Sequence, residues 1–391
     1  RSALSSASGS DDNARTALGE DFFATPWGYT VASEYGVWDM AQDSEDWSPK
    51  SWWSSLDATS WFCTQGYGAV VADYGLEVPV RLRTGASRID WSGPDVTVTT
   101  SAGTIRAKAA ILTVSAGVLA AERIHFTPSL PVQKQQAIQD IDMALMNYIG
   151  LLFKKDIFGF GQDTYVYQQQ TDETGVGYLT NTHNANLTYG YVGGSQARAL
   201  EAESMETTVA YGLDGLKSML GNDIEKQLLK GFATACGKVP LFDGAYSSVR
   251  PGKTAARREL GAALAEKLFF SGEATHTSQP STVNGGLERG HACALQAAAY
   301  VKKNLVGAAQ QNPNSVLAAN PLQNEPGKLL DRTCRGDMRF FLLLPQYKLR
   351  AQQIQQLCRI VLDHLKTAAS CRPIDRKGAH HKMPTRLERV L

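Results

Sequence analysis

The stretch LFFSGEATHTSQPSTVNGGLERGHACA, Leu268 to Ala294, constrains the fold more than any other part of this 391-residue sequence. Leu268, Phe269 and Phe270 are an apolar run too short for a helix and bounded by Gly272, which predicts a central strand of a parallel sheet. Gly272 lets the backbone approach a ligand closely. Glu273 then places a carboxylate at the carboxyl end of that strand, where open α/β sheets bind nucleotides. Pro280, Ser281 and Thr282 predict the start of a helix, and from Val283 onward Leu287, Ala294, Leu295, Ala298 and Val301 recur at helical spacing. Gly286 and Gly290 set two side-chain-free positions one turn apart, on a face expected to lie flat against a sheet or a ring. The free N–H groups and positive dipole end at Thr282 to Gly285 suit a group that gains negative charge during a reaction.

In the order Gly272-Glu273-Ala274-Thr275, then Pro280-Ser281-Thr282-Val283 and a Gly-rich helix, the segment resembles the C-terminal FAD signature of the flavin-containing amine oxidases, in its polyamine-oxidase and histone-demethylase form. A generic Gly-rich strand-loop-helix of a Rossmann-like enzyme is the alternative. The resemblance implies FAD held without a covalent bond, because monoamine oxidases attach it through a cysteine in this loop and none lies between Ser271 and His291. It also implies that Glu273 accepts a hydrogen bond from the ribityl or phosphate side of FAD, and that the Val283 N–H meets the isoalloxazine carbonyl edge. Gly272, Ala274, Pro280, Thr282, Gly286 and Ala86 complete the implied cofactor contacts. Gly244-Ala245-Tyr246-Ser247 resembles the family's Gly-Ser/Ala-Tyr-Ser turn, whose tyrosine is one wall of an aromatic cage. Tyr246, with Thr282 beside it and Tyr148, is therefore a candidate catalytic residue, against the reading of Tyr246 as a core tyrosine. His276 reads as a loop histidine rather than a base. The implied reaction is oxidation of a polyamine-like amine by hydride transfer to flavin, with water releasing the imine and dioxygen reduced to hydrogen peroxide. Such a site needs aromatic walls and little positive charge of its own.

The overall charge of +1 hides an asymmetry. Residues 307–391 hold 14 Lys/Arg against 6 Asp/Glu, a net of +8, which leaves a net of −7 on residues 1–306 and a body compatible with a cationic substrate. Six cysteines, Cys63, Cys236, Cys293, Cys334, Cys358 and Cys371, show no paired spacing typical of zinc, so neither a metal site nor a disulfide framework is expected. No apolar run approaches membrane-spanning length and no signal peptide is visible, which predicts a soluble chain; it begins at Arg1, so an N-terminal address could precede it.

The expected fold class is α/β: a Rossmann-like FAD domain plus an α+β substrate domain, both discontinuous, with the N-terminal dinucleotide-binding unit missing. Residues 1–60 are expected to be a substrate-domain segment, poorly ordered over the Ser- and Ala-rich start and then aromatic, with Trp27 and five further tryptophans up to Trp61. That run lacks the interleaved Lys and Arg of a single-stranded nucleic-acid platform. Residues 61–120 read as an FAD-domain segment: Gly66-Tyr67-Gly68, a strand over 81–90, a hairpin over 96–106 turning at Ser101-Ala102-Gly103, and a strand over 110–114. Residues 121–245 resemble the substrate domain, with strands near 148–153, 165–168 and 187–192 and helices over 197–220. Residues 246–306 are the C-terminal FAD-binding segment. Residues 307–391 are a linker and basic tail, in which Tyr347 to Ser370 could form an amphipathic helix; its scattered basic residues give no clear nucleic-acid or membrane partner.

The chain departs from the family pattern at flavin-facing positions. A GxGxxG turn is absent, and Gly159-Phe160-Gly161 does not replace it, so a separate chain supplying the ADP-binding segment is a possible partner. Tyr148 stands where the family has a lysine, although Lys154 and Lys155 are close in sequence, and Cys236, preceded by Thr234, stands where it has a tryptophan. Ser115 replaces a common proline. Two rival readings remain open: an L-amino-acid oxidase, with Arg250 as the candidate for the substrate carboxylate, and a non-catalytic remnant or partner subunit.

Overall fold

A computed structural model describes residues 2–311 apart from 56–62, 64–65, 77 and 184; the helix expected over Tyr347 to Ser370 lies outside the described residues. Thirteen strands are described: β1 Ala86–Asp90, β2 Val96–Thr100, β3 Gly103–Ala107, β4 Ala110–Leu112, β5 His125–Thr127, β6 Ile141–Ala144, β7 Met146–Phe153, β8 Thr164–Tyr167, β9 Gly177–Thr182, β10 Leu187–Gly193, β11 Leu228–Ala233, β12 Tyr246–Val249 and β13 Leu268–Phe270.

They build two halves, each with its own core. In the first, β4 and β13 pair in parallel with Leu268 opposite Ala110 and Phe270 opposite Leu112, as the apolar run predicts. A four-stranded sheet of order β3-β2-β1-β5 lies beside them, and Ile89, Val96, Leu112, Ile138, Leu260, Leu268 and Phe270 close a common core. The hairpin falls where the sequence puts it. β1 begins only at Ala86, later than the expected 81, and β4 stops at Leu112 because Ser115 then caps the helix Ala116–Ala120, its Oγ accepting from the Val118 N–H at 3.2 Å.

The second half is an antiparallel sheet of order β11-β7-β10-β9-β8. Alternation decides its faces. Ile149, Leu151 and Phe153 of β7, with Tyr178 and Val192, face the helix Met205–Leu220, whose Leu213 and Leu216 complete the second core. Tyr178 donates its hydroxyl to the Gly212 carbonyl at 2.8 Å, so a buried phenol there is satisfied. The opposite face presents tyrosines. The antiparallel pair β6–β12 stands between the halves, with β6 leading straight into β7.

Two expectations are corrected. Residues 2–20 are folded: helices run over Ser2–Ala7 and Ala14–Leu18, Leu4 and Ala14 are buried against Trp47, and Asp11 accepts from Ser48 Oγ at 3.0 Å and Thr254 Oγ1 at 2.9 Å. The long helix Val283–Gln311 does lie on the sheet, but through small residues: Cys293 and Ala297 touch Phe269, whereas Leu287 and Leu295 are 40% and 65% exposed. Close approach selects the small side chains and turns the leucines outward. Among the described residues no helix is long and apolar enough to cross a membrane, and no three His, Cys, Asp or Glu side chains gather where they could hold a metal ion.

Candidate functional site

The site is organised by two consecutive residues of β12. Side chains alternate across a strand, so Tyr246 turns one way and Ser247 the other. Tyr246 packs with Ala41, Ala144, Met146 and Tyr191, and its hydroxyl donates to the Asp39 carbonyl at 2.7 Å. Ser247 meets the Gly272–Glu273 turn: Glu273 accepts from the Ser247 N–H at 3.0 Å and from Ser247 Oγ at 2.6 Å, and also from the Ser281 N–H at 2.7 Å. Under this pair lies the buried Arg257, donating to Ser247 Oγ at 2.6 Å and to the Ser247 and Ala274 carbonyls. Burial draws the Arg257 guanidinium down to about 10, with Glu273 pulling it back up.

On the Tyr246 side, strand register builds an aromatic wall. Tyr191 stands directly opposite Tyr148 on one neighbour and Gly177 on the other, and Gly177 in turn pairs with Tyr167, giving a row Tyr148–Tyr191–Gly177–Tyr167 across four strands. Glycine is required in that row because a Cβ on Gly177 would lie 2.8 Å from the Trp38 ring. Trp38 lies in the gap, stacked on Tyr167 at 5.1 Å between centroids and 5° between planes, with Nε1 donating to the Gly175 carbonyl at 3.2 Å. Tyr165 stacks on Tyr167, and Tyr148 meets Tyr191 edge-on at 5.3 Å. Trp38 and Asp39 are held by a π-helical turn, Gly36–Met40, which extends the helix Gly28–Tyr35 that carries Glu34.

Two carboxylates belong to this wall. Glu34 lies close to the Tyr167 hydroxyl, and its carboxyl is pushed up chiefly by burial, held back by its interaction with that hydroxyl, and pushed further by Asp39. The phenols of Tyr148, Tyr165, Tyr167, Tyr191 and Tyr246 are all raised, burial being the largest cause in each. They stay protonated at neutral pH, so the wall supplies π faces and hydroxyl dipoles next to the acids Glu34 and Asp39.

On the other side, the residues fit a flavin cofactor. Gly272 has φ +117°, and a Cβ there would meet nothing nearer than the Thr113 carbonyl at 4.0 Å; one on Gly286 would come no closer than 3.7 Å to the Glu273 nitrogen, and one on Gly290 would meet open space. The buried Thr113 Oγ1 and Ser271 Oγ, at the carboxyl ends of β4 and β13, have no partner among the described residues. Open glycine surface beside unsatisfied hydroxyls is the chemistry of a polar cofactor cradle. Glu273 has three of its four acceptor positions filled, which leaves one on Oε1.

The structure thus brings Gly272, Glu273, Tyr246, Ser281 and Gly286 into one neighbourhood, with Val283 52% exposed at the first turn of the long helix. Tyr148 joins it from β7, acting with Cys236 and Asp39 on the Tyr246 phenol. The Thr282 hydroxyl is committed to the helix start, accepting from the Gly285 N–H at 3.0 Å and donating to the Gln279 carbonyl at 2.9 Å. Ala274 is buried over Arg257, and Pro280 is half-buried in the loop. Ala86 stands at the start of β1 opposite Thr100, and no hydrogen bond or strand pairing brings it to the others. Arg250 is engaged by both carboxylate oxygens of Asp142, at 2.7 and 2.8 Å. Sequence reasoning missed Glu34, Trp38, Asp39, Tyr165, Tyr167 and Tyr191. The signal was present as Tyr165/Tyr167 and Tyr189/Tyr191, two pairs at the spacing that puts both members on one face of a strand.

A family model described as flavin containing amine oxidoreductase matches residues 6–297. Polyamine oxidase 4 of Oryza sativa subsp. japonica is 31% identical over 262 residues, covering 65% of this chain and 53% of that protein. Lysine-specific histone demethylase 1 homolog 1 of the same organism is 28% identical over 223 residues, covering 55% of this chain and 26% of that protein. The chain therefore spans about a quarter to a half of the length of these two relatives. Among solved structures, a putrescine oxidase double mutant from a redesign of cofactor binding superposes with a TM-score of 0.60 at 16% identity, over 76% of this chain and 72% of that one. Cyclohexylamine oxidase from Brevibacterium oxydans gives 0.58 at 17%, over 76% and 69%. These structural likenesses establish the fold.

Proposed function

The chain belongs to the flavin-containing amine oxidoreductase family, and from that premise we propose that it oxidises a small aliphatic amine with more than one nitrogen, polyamine-like, at the junction between its two halves. The observation that carries this reading is the tyrosine and tryptophan wall with Glu34 set among its phenols. A flat aromatic slot takes a methylene chain and a cation on its π faces, and an acid among those rings suits a second ammonium group rather than a carboxylate. FAD, when bound, supplies the two-electron acceptor that takes hydride from the carbon beside the reacting nitrogen and passes the electrons on to dioxygen, with hydrogen peroxide formed. Gly272, Gly286, the Val283 N–H and the free Glu273 position would hold it.

The chain's own contribution is positioning and exclusion of water. Tyr246 fixes one wall through the Asp39 carbonyl, and Tyr148 and Tyr191 narrow the slot edge-on. The phenols of the wall, with their pKa values raised, already hold their protons at neutral pH and have no phenolate to accept another, so Tyr148 acts as a wall where the family pattern has a lysine, and the reacting amine must reach the slot as the free base. The same premise gives residues 61–120 and 246–306 to the cofactor half, and residues 1–60 with 121–245 to the substrate half, although β5, paired with β1, and Ile138 and Ile141, buried in the first core, join the start of the 121–245 segment to the cofactor half. An L-amino-acid substrate is disfavoured by the engagement of Arg250 with Asp142.

The test uses the purified chain supplied with FAD, scored for peroxide with putrescine, spermidine, hexylamine and an L-amino acid, and in parallel by calorimetry for amine binding alone. The reading expects the di- and triamine to bind best, and Glu34→Gln to weaken them about tenfold while changing hexylamine little. Neither binding nor turnover of any amine, or a preference for the amino acid, would overturn it.

A further inference from the structure

Beside the Gly272–Thr275 turn is a cavity of about 480 Å³. Its walls come from Arg258 and the backbone after its helix, the loop Thr275 to Thr277, and Arg289 with Gln296 on the long helix. Arg289 and Gln296 are seven positions apart and share one face of that helix. Tyr246, Glu273, Val283 and Gly286 do not border it, so it is separate from the site above.

Its chemistry is one-sided. Two guanidiniums line it and no carboxylate does. Arg289 donates from Nε to Thr275 Oγ1 at 3.0 Å and from Nη2 to the Gly261 carbonyl at 3.5 Å, which leaves Nη1 without an acceptor among the described residues. Arg258 is exposed, and among the described residues its side chain has neither a hydrogen-bond acceptor nor an ion-pair partner. Glu288, beside Arg289 in sequence, is already engaged. His276 Nδ1 accepts from the N–H groups of Ser278 and Gln279, at 3.2 and 2.8 Å, so its ring proton sits on Nε2 and points at Glu288, 3.0 Å away. Thr277 and Gln296 add neutral, exposed hydrogen-bonding groups.

We propose that this cavity binds a small organic oxyanion with at least two negative charges, held by Arg258 and Arg289. A guanidinium fork matches phosphate and carboxylate oxygens alike, and the volume lies in the range of small-molecule pockets, larger than a single inorganic phosphate needs. Arg289 also braces Thr275, whose hydroxyl donates to the Gly272 carbonyl at 2.8 Å, so an anion on Arg289 would lie two hydrogen bonds from the cofactor-facing turn.

The experiment needs no cofactor and no turnover. Thermal melts and calorimetry on the full chain are run with sodium pyrophosphate and with sodium citrate, against sodium chloride at matched ionic strength. The proposal expects a saturable rise in Tm with at least one of the two, and the preference between them identifies phosphate or carboxylate as the group recognised. It expects Arg258→Gln, an exposed position, to weaken that anion about tenfold with the ligand-free Tm unchanged, and Arg289→Gln to weaken it at least as much. A response that chloride reproduces, or an affinity that Arg258→Gln leaves untouched, overturns the site.

Discussion

Lys134 is a single residue whose protonation the fold visibly disturbs. It is 3% exposed, and its ammonium donates to the carbonyls of Glu259, Leu260 and Ala262 at 2.5, 2.8 and 2.6 Å while lying 4.5 Å from the Phe270 ring centroid. Burial lowers its pKa to about 8 from an ordinary 10.5, with Glu259 opposing the shift. Below about 8 both folded and unfolded chains carry this proton and the fold bears the full cost of burying it. Between about 8 and 10.5 the unfolded chain binds more protons, so this group's contribution to stability rises with pH, by up to roughly 3 kcal/mol. Lys134→Met should remove that rise and, by leaving three carbonyls without a donor, cost about 2 to 4 kcal/mol at pH 7. Urea melts of both proteins at pH 7, 8.5 and 10 check this; a difference between them that does not change with pH would refute the assignment. Tyr246 carries the other residue-scale prediction. Tyr246→Phe loses one hydrogen bond to the Asp39 carbonyl, worth about 1 kcal/mol, and keeps the ring, whereas Tyr246→Ala opens the slot and should cost one to two orders of magnitude in amine turnover. Equal losses in the two variants would mean that the hydroxyl, not the ring, matters.

Elements meet the site through glycine. A Cβ on Gly193, at the end of β10, would come within 1.9 Å of the Val37 carbonyl, a backbone atom of the turn that carries Trp38 and Asp39. Gly193→Ala must therefore push β10 off that turn, at a cost of about 3 kcal/mol, and lower Tm by roughly 6 to 12 °C with loss of the Trp38 stacking signal in near-ultraviolet circular dichroism. A Tm within a degree of wild type would show that the contact is softer than drawn. The same scale shows what could be read in advance. β13, the β2–β3 hairpin and β7 were legible because their apolar runs or alternation match a strand and little else. β9, GYLTNT, was not: it is buried throughout, and its threonines hide by donating to the Thr164 and Leu187 carbonyls at 3.0 and 3.1 Å. The N-terminal helices were not, because a Ser- and Ala-rich composition resembles a loose tail until Leu4 meets Trp47, a contact between distant positions that local pattern does not encode. At the site, the Gly-Glu-Ala-Thr turn and Tyr246 were legible from motif, while Glu34 and Trp38 enter only through the pairing of four strands.

At the scale of the whole molecule, the β6–β12 pair stands between the two halves, and residues 1–306, without the basic tail that brings the full chain to +1, form a moderately acidic body that can act on an amine at the proposed slot. Residues 1–306 carry a net charge of −7, and Glu34 and Asp39 place part of that charge at the aromatic wall. Local contacts and the long-range field are separable by salt. Pairing with Glu34 inside the slot is shielded from ions, whereas attraction by the body as a whole fades as the screening length falls from about 30 Å at 0.01 M to about 10 Å at 0.1 M. Association with spermidine should therefore slow several-fold over that range while dissociation changes little. Putrescine should show a smaller effect and hexylamine the least. In Glu34→Gln the salt dependence of association should persist although affinity is lower, because a single charge at the slot contributes little to a field summed over the whole body. Stopped-flow tryptophan fluorescence on the wild type and the variant separates the two rates. Identical salt slopes for the mono-, di- and triamine would show that the acidic body does not steer its ligand, and a slope abolished by Glu34→Gln alone would place all of the attraction in the slot.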